Sequence, residues 1–540
     1  MMSFAQSHPG TEGNAVNEFI AKFGDHIAGV LSGFDRLVLR GSLRAICYPQ
    51  GMEGYLSGRN VLLKDFARHV QEVSHRLKQA SLALAEKLGR TVKYLASSQV
   101  SKEQVAQAIA AEQKITAGPV CVLTCVETCQ SFEVYRNPES KRLELQSRLR
   151  KCLFLYHYSI HPVFGFMNAR IQTWFPFSIQ ICLNGREWLA RQMEVAGLRY
   201  LRQDNCFPWI EDFARAQELM NAQLRTPWPQ ELDAIARQLN PVHEEIFAGI
   251  PRAYYGSTFQ SEWASDIVFR EAATLRRLHP LLLRHALTSF GSPEVLHFLG
   301  RRVRQDGEVR QNFQGEVDTD LRQREEGVRI KHRVNHNSVK LYDKAYTGKG
   351  SVLRVEMTMN DESDFRVYRP QEGKPQGPKA WRVLRRGVAD LHRRAEVSQQ
   401  ANDRYLESLT PVDDSTRLEE VLRPLERPRA WKKKRVRALH PFQGSDRALL
   451  EAVGHGEFYI NGFRNKNLQA LLFSPAPSEV AEKRRRSAQV SRQIRLLRAH
   501  GIIRKVPREN RYHVTPAGRQ IITAVLAARQ ATVSQLSKAA

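Results

Sequence analysis

Apolar residues recur with two different periods along this chain, and the switches between them divide it. In "NEFIAKFGDHIAGVL" Phe19, Ile20, Phe23, Ile27 and Val30 fall at helical spacing, which predicts a helix near the start. In "FDRLVLRGSLRAI" the period drops to two. Leu37, Leu39 and Leu43 point one way and Arg36, Arg40 and Arg44 the other, which predicts a strand with a basic outer face. Residues 61–90 return to helical spacing, with Leu63, Phe66, Val70 and Val73 on one stripe. "RTVKYLA" and "GPVCVLTCVE" read as strands, and "FMNARIQTWFPFSIQICLNG" as a hairpin turning near Pro176. "REWLARQMEVAG" reads as a helix capped by Asn184 or Gly185 and stopped by Gly197.

This pattern predicts an α+β multidomain chain. A loose polar tail (1–14) precedes an α/β domain (15–225), and a mainly helical region follows (226–305). An antiparallel sheet segment (306–368) comes next. Then come a Pro/Gly/Lys loop and a long basic helix from roughly 380 to 409 (together 369–412) and a basic linker (413–444). Residues 445–530 form a last module, and 531–540 a tail.

The sheet segment sorts most cleanly. "EGVRIKHRVNHNSVKLYDK" predicts a hairpin turning at residues 335–337, and "LRVEMTMN" a third strand. Val328, Ile330, Val334, Val339, Leu341, Leu353, Val355, Met357 and Met359 share the inward face, and His332 goes with them. Arg329, Lys331, Arg333, Lys340, Tyr342, Lys344, Arg354 and Glu356 share the face expected to be wet, with Glu356 its one acidic member.

The last module has three helices in "SDRALLEAVG", "FRNKNLQALLF" and "KRRRSAQVSRQIRLLRAHG". A hairpin follows in "IIRKVPRENRYHVT", then a helix capped by Thr515. On the third helix Val490, Ile494 and Leu497 fall on one side. Arg484, Ser491, Arg492, Arg495 and Arg498 fall on the other, a face suited to the major groove. Arg504, Lys505, Arg508 and Arg511 of the hairpin are placed to reach the neighbouring phosphates. Through "LLRAHGIIRKVPRENRYHVTPAGR" the module resembles winged helix-turn-helix domains of bacterial regulators and replication proteins, which implies binding to double-stranded DNA.

Charge sharpens this picture. The 540 residues carry 82 Lys and Arg against 56 Asp and Glu, a formal net charge of +26. Such an excess attracts polyanions and releases their counterions, so nucleic acid is the expected partner, with DNA first. No run of 18 apolar residues occurs and the start lacks a signal-peptide form, so no membrane partner is expected. The seven cysteines are read as thiols of a cytoplasmic protein, with Cys121, Cys125 and Cys129 as small apolar members of a buried strand. Arg36, Arg40 and Arg44, with Arg170, Gln172 and Trp174, form a candidate second basic face for stacking unpaired bases.

Tyr342 carries the sharper chemistry. A tyrosine hydroxyl attacks phosphorus only with help from cations or a metal, because its ordinary pKa is about 10. Lys340 and Lys344 flank it. Glu356 is the natural first ligand for Mg²⁺ or Mn²⁺, and Asp318 and Asp320 in "GEVDTD" complete a site if their strand pairs alongside. "VKLYDK" followed by "LRVEMTMN" resembles filamentous-phage and plasmid rolling-circle replication initiators over residues 328–362. Those proteins nick DNA with a tyrosine and acidic metal ligands. The resemblance implies Glu356 as the acidic ligand and Tyr342 as a candidate nucleophile; no His-hydrophobe-His triplet occurs. The whole chain is also similar to a group of bacterial proteins through "FGFMNARIQTWFPFSIQICLNGREWLARQ" and "NSVKLYDKA", which implies a stand-alone family and no particular reaction. Three classes remain open: a metal-dependent nicking or strand-transfer enzyme, a non-catalytic DNA-binding regulator, and an RNA-binding protein.

Overall fold

The computed structural model describes residues 17–300, 315–324, 327–344, 351–371, 373–374, 376–412, 418–432, 434–454, 458, 462–473, 479–506 and 510–531. Residues 1–14, residues 301–313, Arg508 and most of 531–540 lie outside these. The chain is a multidomain α+β protein built on one large sheet. Its strands are β1 (Ile27–Ser42), β2 (Thr91–Leu95), β3 (Gly118–Arg136), β4 (Leu143–His161), β5 (Gly165–Gln172) and β6 (Ile179–Asn184). After a separate small hairpin, β7 (Tyr200–Gln203) and β8 (Cys206–Ile210), come β9 (Tyr255–Phe269), β10 (Val317–Arg324), β11 (Gly327–Val334), β12 (Asn337–Asp343) and β13 (Val352–Met359). The spatial order in the eleven-stranded sheet is β10-β11-β12-β13-β9-β1-β6-β5-β4-β3-β2. Only β2 and β3 pair in parallel.

This corrects the expected boundaries. Residues 226–305 are not simply helical, because β9 lies among them and pairs with both β1 and β13. Its pattern "YGSTFQSEWASDIVF" hides because residues 263–269 are buried on both faces, where alternation vanishes. The strands β10–β13 of the segment expected at 306–368 are no separate sheet; they extend the N-terminal one. The first helix stops at Lys22, so Ile27 and Val30 belong to β1.

The apolar face of β9–β13 packs under helices Ala272–Ser289, Ser292–Phe298 and Leu391–Leu409. The last of these was expected to start near 380 with a basic exposed face. Residues Ala380–Val383 are instead a strand paired with Arg366–Arg369, and the helix lies flat on the sheet. Its fully buried Arg394 donates to Ser261 Oγ (2.7 Å) and to the Met359 carbonyl (2.8 Å). Asn402 donates to the carbonyls of Trp263 (3.2 Å) and Val355 (3.1 Å). Tyr405 Oη lies 3.1 Å from His332 Nε2, and Thr319 Oγ1 lies 2.9 Å from its other ring nitrogen. His332 is thus packed in the apolar layer, as its phase implies, and burial pushes its pKa down to about 4. Cys121, Cys125 and Cys129 are likewise buried on β3.

Residues 418–531 share one further core. Leu422, Leu425 and Leu439 pack with Leu449, Leu450 and Leu497, so the segment expected to be a linker is part of the last module. It contributes the hairpin Arg429–Trp431 and Lys434–Val436. Helices Gly444–Val453, Asn465–Leu472 and Val480–Ala499 follow, then the hairpin Ile503–Lys505 and Tyr512–Val514 and the helix Pro516–Gln530.

One position tests how tightly the sheet and its cover meet. Helix Gly185–Val195 starts beneath the Asn184 side chain, which accepts from the backbone of Arg186 and Glu187. A Cβ on Gly185 would lie 1.6 Å from the Phe34 carbonyl oxygen on β1. Gly185→Ala is expected to cost about 3 kcal/mol, because backbone and not a flexible side chain blocks the space. The midpoint of denaturant unfolding measures it.

Candidate charged centre and candidate nucleic-acid interface

Two charged regions stand out, one at the middle of the sheet and one on the last module. The first is built where β1, β9, β13 and β12 lie side by side. Opposed pairs put Lys340 beside Glu356, Tyr342 beside Arg354, and Arg354 beside Asp266. On β1 the register slips between Phe34 and Arg36, so Asp35 is an extra residue with no partner across β9. Such a bulge re-aims a side chain. Here it brings Asp35 to the same polar face.

The face expected to be wet is roofed at this end. Helix Gly185–Val195, the β7–β8 hairpin and helix Phe213–Ala222 cover it. Met220 fills the space above Gly33 and Phe213 that above Gly29, while Cys206 packs on Val268 and Val352. Under the roof lies a knot of ions. The fully buried Arg354 binds both Asp266 oxygens through Nε (2.6 Å) and Nη2 (2.8 Å), and its Nη1 lies 3.2 Å from Asp35 Oδ1. The equally buried Arg186 reaches Asp266 at 2.9 Å. Lys340 Nζ lies 2.5 Å from Glu356 and 3.4 Å from Glu262. Asn205 of the roof donates to Asp35 (2.9 Å) and accepts from Arg354 (2.6 Å) and Lys344 (3.1 Å).

The electrostatics follow from burial set against these partners. Burial alone would raise the Glu356 carboxyl, but Lys340 and Arg354 overcome it and hold it below its ordinary range. Burial opposes the Lys340 charge, yet Glu356 and Glu262 hold its pKa above the usual lysine value. Glu262 goes the other way. Burial and the neighbouring Glu356 raise it, because Lys340 is shared.

Asp35, Glu262 and Glu356 each bring one oxygen within 4.8 Å of the others, and three carboxylates suit a hard divalent cation. Against that, the Lys340 ammonium already lies between two of them. The donor set therefore fits Mg²⁺ or Mn²⁺ only with Lys340 withdrawn. Glu356 is in the cluster, as expected, but Asp318 and Asp320 are not. Asp320 sits opposite Lys331, which sits opposite Lys340, which sits opposite Glu356. Three strand spacings, roughly 14 Å, separate the two carboxylates. Asp318 instead binds Arg333, and Asp320 binds Arg322.

Tyr342 is only 7% exposed, and its ring lies 6.0 Å from the Arg329 guanidinium and 5.6 Å from Lys344. Burial, with Glu356 adding to it, pushes the phenol up to about 12. Lys340, Tyr342, Lys344 and Arg354 thus lie on the expected face, but that face is covered. Arg354 was expected to contact nucleic acid but is buried and taken up by Asp266, Asp35 and the Asn205 carbonyl. Arg329 and Lys331 are half-buried, and the exposed Arg333 is held by Asp318.

On the last module, helix Val480–Ala499 buries Val490, Ile494 and Leu497 and exposes Arg484, Ser491, Arg492 and Arg495. Arg498 is half-buried, its guanidinium 5.0 Å from the Trp431 ring and 5.9 Å from that of Tyr512. Ser491 Oγ accepts from Asn465 (2.9 Å). In the adjoining hairpin Arg504 and Lys505 are exposed and Arg511 is half-buried. Trp431, Lys432, Lys434, Arg435, Arg492 and Arg495 line a groove of about 630 Å³ between the 429–436 hairpin and the long helix.

The pattern missed Asp35, Arg186, Glu262 and Asp266. A signal existed for Asp266: a carboxylate inside "WASDIVF" has to find a buried partner. Comparison with known proteins finds no family model, no curated protein and no solved structure that matches this chain. No described helix is long and apolar enough to cross a membrane.

Two substitutions probe the knot. Lys340→Met strands Glu356 and should cost about 3–5 kcal/mol. Glu262→Gln should raise the melting temperature at pH 7. Its folded pKa lies above its unfolded one, so its ionised form opposes folding above both values. That gain should shrink as pH falls through the carboxylate range. Calorimetry from pH 3 to 7 reads both.

Proposed function

We propose that this chain is a nucleic-acid-binding protein that grips double-stranded DNA through residues 418–531, folded as a winged helix-turn-helix. The observation that carries this reading is the sided helix Val480–Ala499. Arg484, Arg492 and Arg495 face solvent, Val490, Ile494 and Leu497 are buried, and a basic hairpin stands next to it. A helix presenting arginines to the major groove can pair with guanine edges or clamp phosphates, and the hairpin then reaches the adjoining backbone. The 429–436 hairpin flanks the same helix. Residues 427–437 hold seven Lys and Arg and no Asp or Glu, which widens the cationic surface on one side. The seven cysteines are all free thiols, in keeping with a reducing cytoplasm.

A second reading, a metal-dependent nicking enzyme resembling replication initiators, rests on one observation: the approach of Asp35, Glu262 and Glu356 within 4.8 Å. It requires Lys340 to leave the carboxylates. It lends Tyr342 less support as the attacking group, since the phenol is covered and harder to ionise than in water. Nicking of supercoiled plasmid in Mg²⁺ or Mn²⁺ that Glu356→Gln abolishes supports it; a wild-type chain that never nicks removes it.

The duplex reading has its own test. Arg492→Ala with Arg495→Ala should weaken binding to a short duplex by about tenfold or more, read by fluorescence anisotropy. The slope of log K against log salt should fall by about 1 for each arginine that had met a phosphate. Unchanged affinity and slope in a folded double variant would sink the reading.

A further inference from the structure

Among the described residues, the roof over the polar face of the sheet ends short of Arg36 and Phe259, which are exposed. At that end aromatic rings come to the surface. Tyr255 and Phe259 on β9 are 36% and 48% exposed. Each ring carries a guanidinium: Arg44 lies 3.3 Å from the Tyr255 centroid and Arg40 lies 4.6 Å from that of Phe259. The register explains the exposure. It slips between Val38 and Leu39, where Leu39 meets Thr258 and Val38 meets Gln260, so Phe259 is an extra residue thrust out of the ladder.

A second aromatic pair stands close by in the chain. Arg366–Arg369 and Ala380–Val383 form a hairpin in which Tyr368 faces Trp381. The two rings are 5.7 Å apart and are 43% and 50% exposed. Arg366 shares their exposed face. The hairpin runs directly into residues 386–387, which pair with β9 at Thr258 and Ser257. Four residues separate Trp381 from Arg386, so at most about 18 Å of extended chain lies between their Cα atoms.

Four partly exposed rings lie beside arginines, an arrangement that suits the stacking of bases next to phosphates. We propose that two aromatic patches, Tyr255 and Phe259 with Arg40 and Arg44, and Tyr368 and Trp381 with Arg366, form a stacking platform for the bases of a single-stranded nucleic acid and hold its phosphates. The features that favour such stacking are partly exposed rings, guanidinium groups lying on or beside them, and a net charge of +26 on the chain. Positive charge also accumulates there without full compensation. Burial and the nearby Arg170 and Arg386 push Arg40 below its ordinary pKa, and among the described residues no carboxylate pairs with it. Arg170 and Arg386 themselves have carboxylate partners in Glu127 and Glu362.

The aromatic members differ from those expected from the pattern. Gln172 is buried and donates to three backbone carbonyls, and Trp174 is half-buried under Arg150. The platform stands independently of the duplex-binding module, so the two can fail separately.

The experiment uses the full chain and a fluorescein-labelled oligothymidylate. Phe259→Leu and Trp381→Leu keep apolar bulk but remove the π-face, and circular dichroism checks their fold. Each should weaken single-strand binding by about 5- to 100-fold, the range of one lost base stack, and leave binding to a short duplex unchanged. An abasic oligonucleotide of equal length should bind wild type at least as weakly as the single variants bind the normal strand. Wild-type single-strand affinity in folded Phe259→Leu and Trp381→Leu would overturn the proposal. Equal binding of abasic and normal strands would overturn it too, since charge alone would then account for the affinity.

Discussion

The contact on which the fold most depends is the pair of buried arginines that close on Asp266 and Asp35. Arg186 comes from the helix after β6, Arg354 from β13, Asp266 from β9 and Asp35 from the bulge in β1. Four parts of the chain, up to about 320 residues apart in sequence, meet around these charges. Removing several ions from water costs several kcal/mol each, and only close, multiple hydrogen bonds offset it. The constraint is therefore geometric. β9 has to sit between β1 and β13, and the helix after β6 has to lie over them, or at least one charge is stranded. Where a strand is buried on both faces, as β9 is over residues 263–269, burial sets register weakly, and the arginine forks on Asp266 add a geometric constraint.

That constraint also divides the polar face of the sheet. Near the knot the face is roofed, and the cations and Tyr342 on it serve one another. Beyond Glu262 the roof ends: Arg36 is exposed, Arg40 is half-buried, and Phe259 and Tyr255 are open to solvent. One continuous row of polar residues thus has two chemical characters, decided by what lies above it. The arginines of the last module are a third case, a face left bare because the other side of the same helix supplies the core.

Much of the local structure was legible in the pattern. The hairpin around residues 335–336, the capped helix after Asn184, the inward phase of His332 and the sided helix at 480–499 all follow from period, caps and turn residues. These rest on contacts between near neighbours in sequence. Glu356 was legible as a carboxylate that matters, from its position in the "LRVEM" strand, but its companions were not. Asp318 and Asp320 lay nearer to it in sequence than Asp35 and Glu262 do, and sequence distance misled.

What the amino-acid order determined by itself is therefore the periods, the caps, the excess of positive charge and which side chains share a face of one element. What only the tertiary structure decided is which elements lie beside or above that face. β9 shows why. Buried on both sides over residues 263–269, it carries no alternation there that could announce it, yet it joins the two halves of the sheet and brings Glu262 and Asp266 to the centre. Whether a polar face is wet depends on segments more than a hundred residues away, and no local period encodes that.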